Sequence, residues 1–244
     1  MTAKIYVANW KMNVPARESI EQYIGHLKKF RVPANTHIII APPFPYLPLV
    51  ARLIKKSRLE IAAQNVHWET EGTFTGEVSA KMLQRFGVHF VIIGHSERRR
   101  DFYETDAIIN RKLRIVVHTR LTPILCIGET AAQRKRGETR KIILTQLRRA
   151  LQGIRNPRVI IAYEPVWAIG TGINAQPTQV QQVHVLIRSW LTRKYTKKNT
   201  IPILYGGSAA AHNSHSFMQQ PDIDGLLVGG ASLSSQQFRN IIQT

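Results

Sequence analysis

Short apolar runs bounded by turn residues recur along the whole chain: Lys4 to Asn9, His37 to Ala41, Leu59 to Gln64, His89 to Gly94, Pro123 to Ile127, Arg158 to Tyr163, Ile201 to Tyr205 and Gly225 to Gly229. They are rich in Ile, Val and Leu and do not alternate with polar residues. A run that is apolar at successive positions has both faces buried, the condition of parallel strands covered by helices. The starts recur every 22 to 43 residues, room for a strand and a returning helix. Between the runs the apolar spacing turns helical. Ile20, Tyr23, Ile24, Leu27 and Phe30 share one face, as do Ile143, Leu147, Ala150, Leu151 and Ile154, and Val183, Leu186, Ile187, Trp190 and Leu191. Weaker helical stretches lie at Leu47 to Ile54, Met82 to Phe86, Ile108 to Val116 and Phe238 to Ile242. Eight such units predict an α/β protein: a single closed (β/α)8 barrel with parallel strands, one domain over residues 1–244, against a usual size of ~250 residues. An open doubly wound sheet is the alternative, and eight near-equal units favour closure.

Composition agrees with a folded domain, since 43% of residues are hydrophobic and 20% charged. No apolar run approaches the ~20 residues that a membrane span needs. The first residues, MTAKIYVANWKMN, lack the long apolar stretch and cleavage site of a signal peptide. Cys126 is the sole cysteine, so no internal disulfide can form, which suits the reducing cytoplasm. Charge changes the picture more: 34 Lys and Arg against 15 acids give a net +19, a field that favours anionic partners such as nucleic acid, acidic lipid or phosphorylated metabolites. The cations fall in pairs and triplets throughout, which argues against a dedicated nucleic-acid arm.

The polar, glycine-rich pieces follow the C-terminal ends of the runs, and in a parallel barrel those ends share the face that carries active sites. Glu164 follows VIIAY and precedes Pro165, so a carboxylate stands where strand becomes loop. There it reads as a general base once water is excluded, or as a strand-end acid paired with an Arg. His95 ends HFVIIG on the same predicted face, and Ser96-Glu97 could begin a short helix whose positive end opposes a charge on the imidazole. Lys11 and Asn9 at the mouth place an ammonium and an amide where an oxyanion could develop. Gly170-Thr171-Gly172, Gly206-Gly207-Ser208 and Gly229-Gly230 are ordinary turns or, for the two that follow runs seven and eight, phosphate cradles. No nucleotide-binding pattern and no metal-ligand spacing accompanies them, so neither a metal nor an organic cofactor is expected.

These strings bring a resemblance into view. ANWKMN (8–13), AQNV (63–66), GTFTGEVSA (72–80), IGHSERR (93–99), ILCIGET (124–130), AYEPVWAIGTG (162–172), LYGGS (204–208) and DGLLVGGASL (224–233) resemble the triosephosphate isomerase family over essentially the whole length. The resemblance implies interconversion of dihydroxyacetone phosphate and glyceraldehyde 3-phosphate in glycolysis and gluconeogenesis. It implies Glu164 as the base that moves a proton between C1 and C2, and His95 as the neutral group that polarises the carbonyl. Asn9 and Lys11 would bind the substrate oxygens, and Glu97 would order Lys11 or relay protons. Gly170, Ser208, Gly229 and Gly230 would hold the phosphate. Pro165 to Ala175 would be a closing lid, with Ile169 and Leu227 as the apolar cover that dries Glu164. The long stretch Asn65 to Glu77 would be a dimerisation loop whose Thr75 reaches the neighbour's mouth, making a homodimer. Tyr103, Ala209-Ala210 and Ser234-Ser235 depart from the family's usual residues, outside the proposed catalytic groups. A rival reading is a catalytically silent or moonlighting basic barrel that binds nucleic acid or another polyanion; the retained mouth residues argue against loss of catalysis, no nucleic acid is required by the enzymatic reading, and no membrane partner is expected.

Overall fold

The computed structural model describes residues 3–15, 18–155, 157–169, 175–195 and 201–243. Eight strands, β1 Lys4–Asn9, β2 Thr36–Ala41, β3 Leu59–Ala63, β4 Phe90–Ile93, β5 Thr122–Ile127, β6 Ile160–Tyr163, β7 Ile203–Tyr205 and β8 Gly225–Val228, pair in sequence order and close into a barrel. Every pairing is parallel, and the ring closes with Ile5 opposite Gly225 and Ala8 opposite Val228. The described helices are α1 Ile20–Lys29, α2 Leu47–Leu53, α3 Ala80–Arg85, α4 Ser96–Asp101, α5 Asp106–Val116, α6 Ala131–Lys135, α7 Thr139–Ala150, α8 Pro177–Lys194, α9 Ser214–Met218 and α10 Ser235–Ile242. No helix among the described residues is long and apolar enough to cross a membrane.

The continuous apolar runs have the cause expected of them. Ile5, Val7, Ile39, Ile92, Ile124, Cys126, Ile160, Ala162 and Leu204 fill the barrel interior, while neighbours such as Tyr6, Ile38, Ile40, Val91 and Ile161 pack outward against the helices. Successive residues of a strand point to opposite faces, so a strand buried on both sides must be apolar at every position. Each fully buried Ile or Val contributes roughly 1.5–3 kcal/mol by leaving water.

Local chemistry starts the helices. Ser19 Oγ accepts the N–H of Gln22 at 3.2 Å and the Gln22 amide oxygen accepts the N–H of Ser19 at 2.9 Å, a capping box that opens α1. Thr130 and Gln133 repeat it at α6. The expected boundaries shift by two residues at two strands, where Arg158-Val159 and Ile201-Pro202 lie outside β6 and β7, and by at most one residue at either end of the others. The long connection from β3 to α3 holds neither helix nor strand, and the rings of Trp68 and Phe74 pack on His67 at 4.2 and 4.3 Å to give it a fixed core. Tyr103 adopts a left-handed backbone with φ 53°, a conformation a side chain tolerates poorly.

Candidate active site

Because every strand runs the same way, the residues that leave β1, β4, β6, β7 and β8 meet at one end of the barrel. A cavity of about 330 Å³ opens there, lined by Asn9, Lys11, His95, Ile169, Gly206 to Ala210, Leu227 and Gly229 to Ala231.

Lys11 stands in the left-handed region, φ 53°. Two amide side chains hold it there: Asn9 Oδ1 accepts the Lys11 N–H at 3.0 Å, and Gln64 Nε2 donates to the Lys11 carbonyl at 2.9 Å and to the Ala41 carbonyl at 2.8 Å. A non-glycine residue in this conformation costs of order 1–2 kcal/mol and persists only where the surroundings over-determine it. The strained backbone aims the side chain across the mouth, where Nζ meets Glu97 Oε1 at 2.7 Å. Gly229 is close beside it, since a Cβ there would lie 3.3 Å from Lys11 Cε. Gly230 is exposed at the start of a short 3-10 turn, Gly230–Leu233.

His95 caps α4, as its sequence position suggested. Nδ1 accepts the backbone N–H of Glu97 at 3.3 Å, with a Glu97 carboxylate oxygen 3.5 Å away. A ring nitrogen that accepts an N–H carries no proton, so the imidazole is neutral with its hydrogen on Nε2. Nε2 lies 3.2 Å from Glu164 Oε1.

Glu164 is 1% exposed and does not line the cavity. Oε2 accepts the backbone N–H of Ser96 at 2.8 Å, and Oε1 is buried without an aligned hydrogen bond. Its 3.2 Å approach to His95 Nε2 is a distance without hydrogen-bond geometry. A Cβ at Gly206 would come within 2.9 Å of Glu164 Cγ, so glycine there leaves space for the carboxylate arm. Cys126 on the neighbouring strand lies against the same carboxylate; burial first, and then that negative charge, push its thiol well above the usual range.

Ser208 Oγ donates to the Ala168 carbonyl at 2.5 Å, tying the β7 loop to the segment after β6. That segment is anchored from below by Glu129, which accepts from Trp167 Nε1 at 3.0 Å, from the Tyr163 hydroxyl at 3.1 Å and from Arg134 at 3.2 Å. Ile169 and Leu227 both face the cavity, Leu227 at 3% exposure. Gly170 and the rest of 170–174 lie outside the described residues. Thr75 is exposed on the β3–α3 connection, away from this chain's own mouth. Asn9, Lys11, His95, Glu97 and Glu164 thus come together as expected. Sequence reasoning missed Gln64 and the Ser96 amide, because one acts on a backbone carbonyl far away in sequence and the other acts through a backbone atom that any residue carries. Among the described residues no three His, Cys, Asp or Glu side chains converge as metal ligands.

A closed parallel barrel with a neutral imidazole, a carboxylate and an ammonium at its C-terminal mouth defines a barrel enzyme equipped for acid–base chemistry. The comparisons narrow this. The sequence model described as triosephosphate isomerase matches residues 4–244. The chain is 43% identical over 243 residues to a protein of Nostoc punctiforme named triosephosphate isomerase, covering 98% of this chain and 97% of that one. Proteins of the same name from Acaryochloris marina, 44% identical with 98% of both chains covered, and from Caldanaerobacter subterraneus, 42% identical with 99% of both covered, are equally extensive matches. The chain belongs to the triosephosphate isomerase family.

Proposed function

We infer that the chain acts as one catalytic domain over residues 1–244 that interconverts dihydroxyacetone phosphate and D-glyceraldehyde 3-phosphate through an enediolate. The observation that supports this most is the meeting of neutral His95, buried Glu164 and the Lys11–Glu97 pair at one mouth. The phosphate sits at Ser208, Gly229 and Gly230, which line the cavity, with Gly170, outside the described residues, as the further contact that the family resemblance implies. Glu164 takes a proton from C1 of the ketone. The electrons of that C–H bond form the C1–C2 double bond, and the carbonyl electrons move to O2, stabilised by the Lys11 ammonium, the Asn9 amide and the His95 Nε2–H. The imidazole passes a proton from O1 to O2, and Glu164 returns its proton to C2, giving the aldehyde. Glu97 orders Lys11, and Ile169 and Leu227 keep water from the enediolate. The scheme uses no metal and no organic cofactor.

The same reading makes the chain a cytoplasmic enzyme of glycolysis and gluconeogenesis and a homodimer. Exposed apolar side chains at Met12, 94%, and Phe102, 62%, with Phe74, Met82 and Phe86, support an interface that also covers Thr75. An assay that couples glyceraldehyde 3-phosphate consumption to reduction of the product ketone tests the activity; absence of turnover by the purified chain overturns the reading.

A further inference from the structure

The catalytic mouth leaves the strong positive charge unexplained. Between Glu21 and Glu60 the chain carries seven Lys and Arg and no acid: Lys28, Lys29, Arg31, Arg52, Lys55, Lys56 and Arg58, all exposed. Lys28, Lys29 and Arg52 lie in the last turns of α1 and α2, where cations complement the carbonyl ends of helices. Arg31, Lys56 and Arg58 stand beyond those ends and have no such role.

Four of the seven converge. Lys28, Arg31, Lys56 and Arg58 line a groove of about 870 Å³ formed where α1 leads into β2 and α2 leads into β3, with Leu27 and Val32 in its wall. Lys28 Nζ donates to the Leu53 carbonyl at 3.2 Å, joining the two sides. Among the described residues none of the four has an acid within 4 Å; Glu60, the nearest in sequence, is held by His37 at 2.7 Å. The groove lies at the N-terminal end of the barrel, opposite Asn9, Lys11 and His95.

We propose that this groove docks an acidic polypeptide segment, its carboxylates on Lys28, Arg31, Lys56 and Arg58 and its small apolar side chains on the accessible Val32 and Pro33. A concave site with a mixed floor fits an extended chain better than a flat bilayer surface. Single-stranded nucleic acid is disfavoured because its unpaired bases are held by stacking on open aromatic faces. The one aromatic ring among the residues that line the groove, Phe30, is 7% exposed and carries the Arg239 guanidinium 5.3 Å from its centroid.

Fluorescence anisotropy with a labelled Asp/Glu-rich peptide containing interspersed Val and Leu, at ~0.15 M salt where screening reaches about 8 Å, tests the assignment. Two fourfold variants are compared: Lys28→Glu, Arg31→Glu, Lys56→Glu and Arg58→Glu in the groove, and Arg140→Glu, Lys141→Glu, Arg148→Glu and Arg149→Glu on α7, which changes net charge equally. The groove variant is expected to lose affinity about tenfold or more and the α7 variant less than about threefold, because only close pairs retain value once salt screens the rest. Turnover of triose phosphate stays unchanged in both. If the reversed charges prevent folding, the four groove positions changed to Gln read the same loss. Equal losses in the two variants overturn the proposal, as would no peptide binding, or groove-dependent binding of a single-stranded oligonucleotide or anionic vesicles in preference to the peptide.

Discussion

The backbone N–H of Ser96 donates to Glu164 Oε2 at 2.8 Å, so the start of helix α4 holds the carboxylate proposed as the base. A helix N-terminus offers N–H groups without an intrahelical partner, and one of them fixes the orientation of this carboxylate. His95, the residue proposed to polarise the carbonyl, caps the same helix through Nδ1. One helical turn therefore positions both partners of the proton transfer.

Removing that single N–H is feasible, because proline is well tolerated at the first position of a helix and His95, at ψ 143°, already has the backbone a following proline requires. Ser96→Pro is expected to fold and to lower kcat/KM about tenfold, the scale of one hydrogen bond to a charged group. Steady-state kinetics of parent and variant check this, with circular dichroism to show that the variant folds; an unchanged kcat/KM rejects the anchoring role.

Gln64 has no reason to touch substrate, yet its amide fixes the left-handed backbone of Lys11 through two carbonyls. Gln64→Ala leaves that conformation supported by Asn9 alone. The expected result is a rise in KM and a fall in kcat/KM of about tenfold from two lost hydrogen bonds at ~0.5–1.5 kcal/mol each. Unchanged steady-state constants would show that Asn9 suffices.

His184 is fully buried on α8, its ring edge against Tyr163 and its Nδ1 on the Asp222 carbonyl at 3.0 Å, with Arg188 and Asp224 close by. Burial above all drives its protonation down to about 4 from 6.5. The folded-state value lies below the unfolded one, so the group costs nothing above pH ~6.5, and stability is lost as pH falls from there toward 4, by about 3 kcal/mol in all. Denaturant titrations across that range are expected to show His184→Gln with a shallower loss than the parent. Parallel curves would contradict this.

Much of this arrangement was legible in the chain. Runs such as HFVIIG and VIIAY announce doubly buried strands because both faces must be apolar, and the residues just after them fall on the mouth because the strands are parallel. Helices α6 and α9 went unseen since five residues hold too little period to read. Ser96 and Gln64 were illegible as site residues for a different cause: their roles depend on which backbone atom lies opposite, which only the closed barrel decides. Glu164 stands at its strand end beside His95 and Gly206, and its burial just behind the cavity wall is a depth that the order of residues does not give.

The most direct measurement is steady-state kinetics of Glu164→Gln with glyceraldehyde 3-phosphate. The amide keeps the shape of the side chain beside Ser96 and removes its basicity. With Glu164 as the base, kcat falls by roughly 10² to 10⁴ while KM stays nearly constant. A kcat within about threefold of the parent would contradict the assignment of proton transfer to this carboxylate.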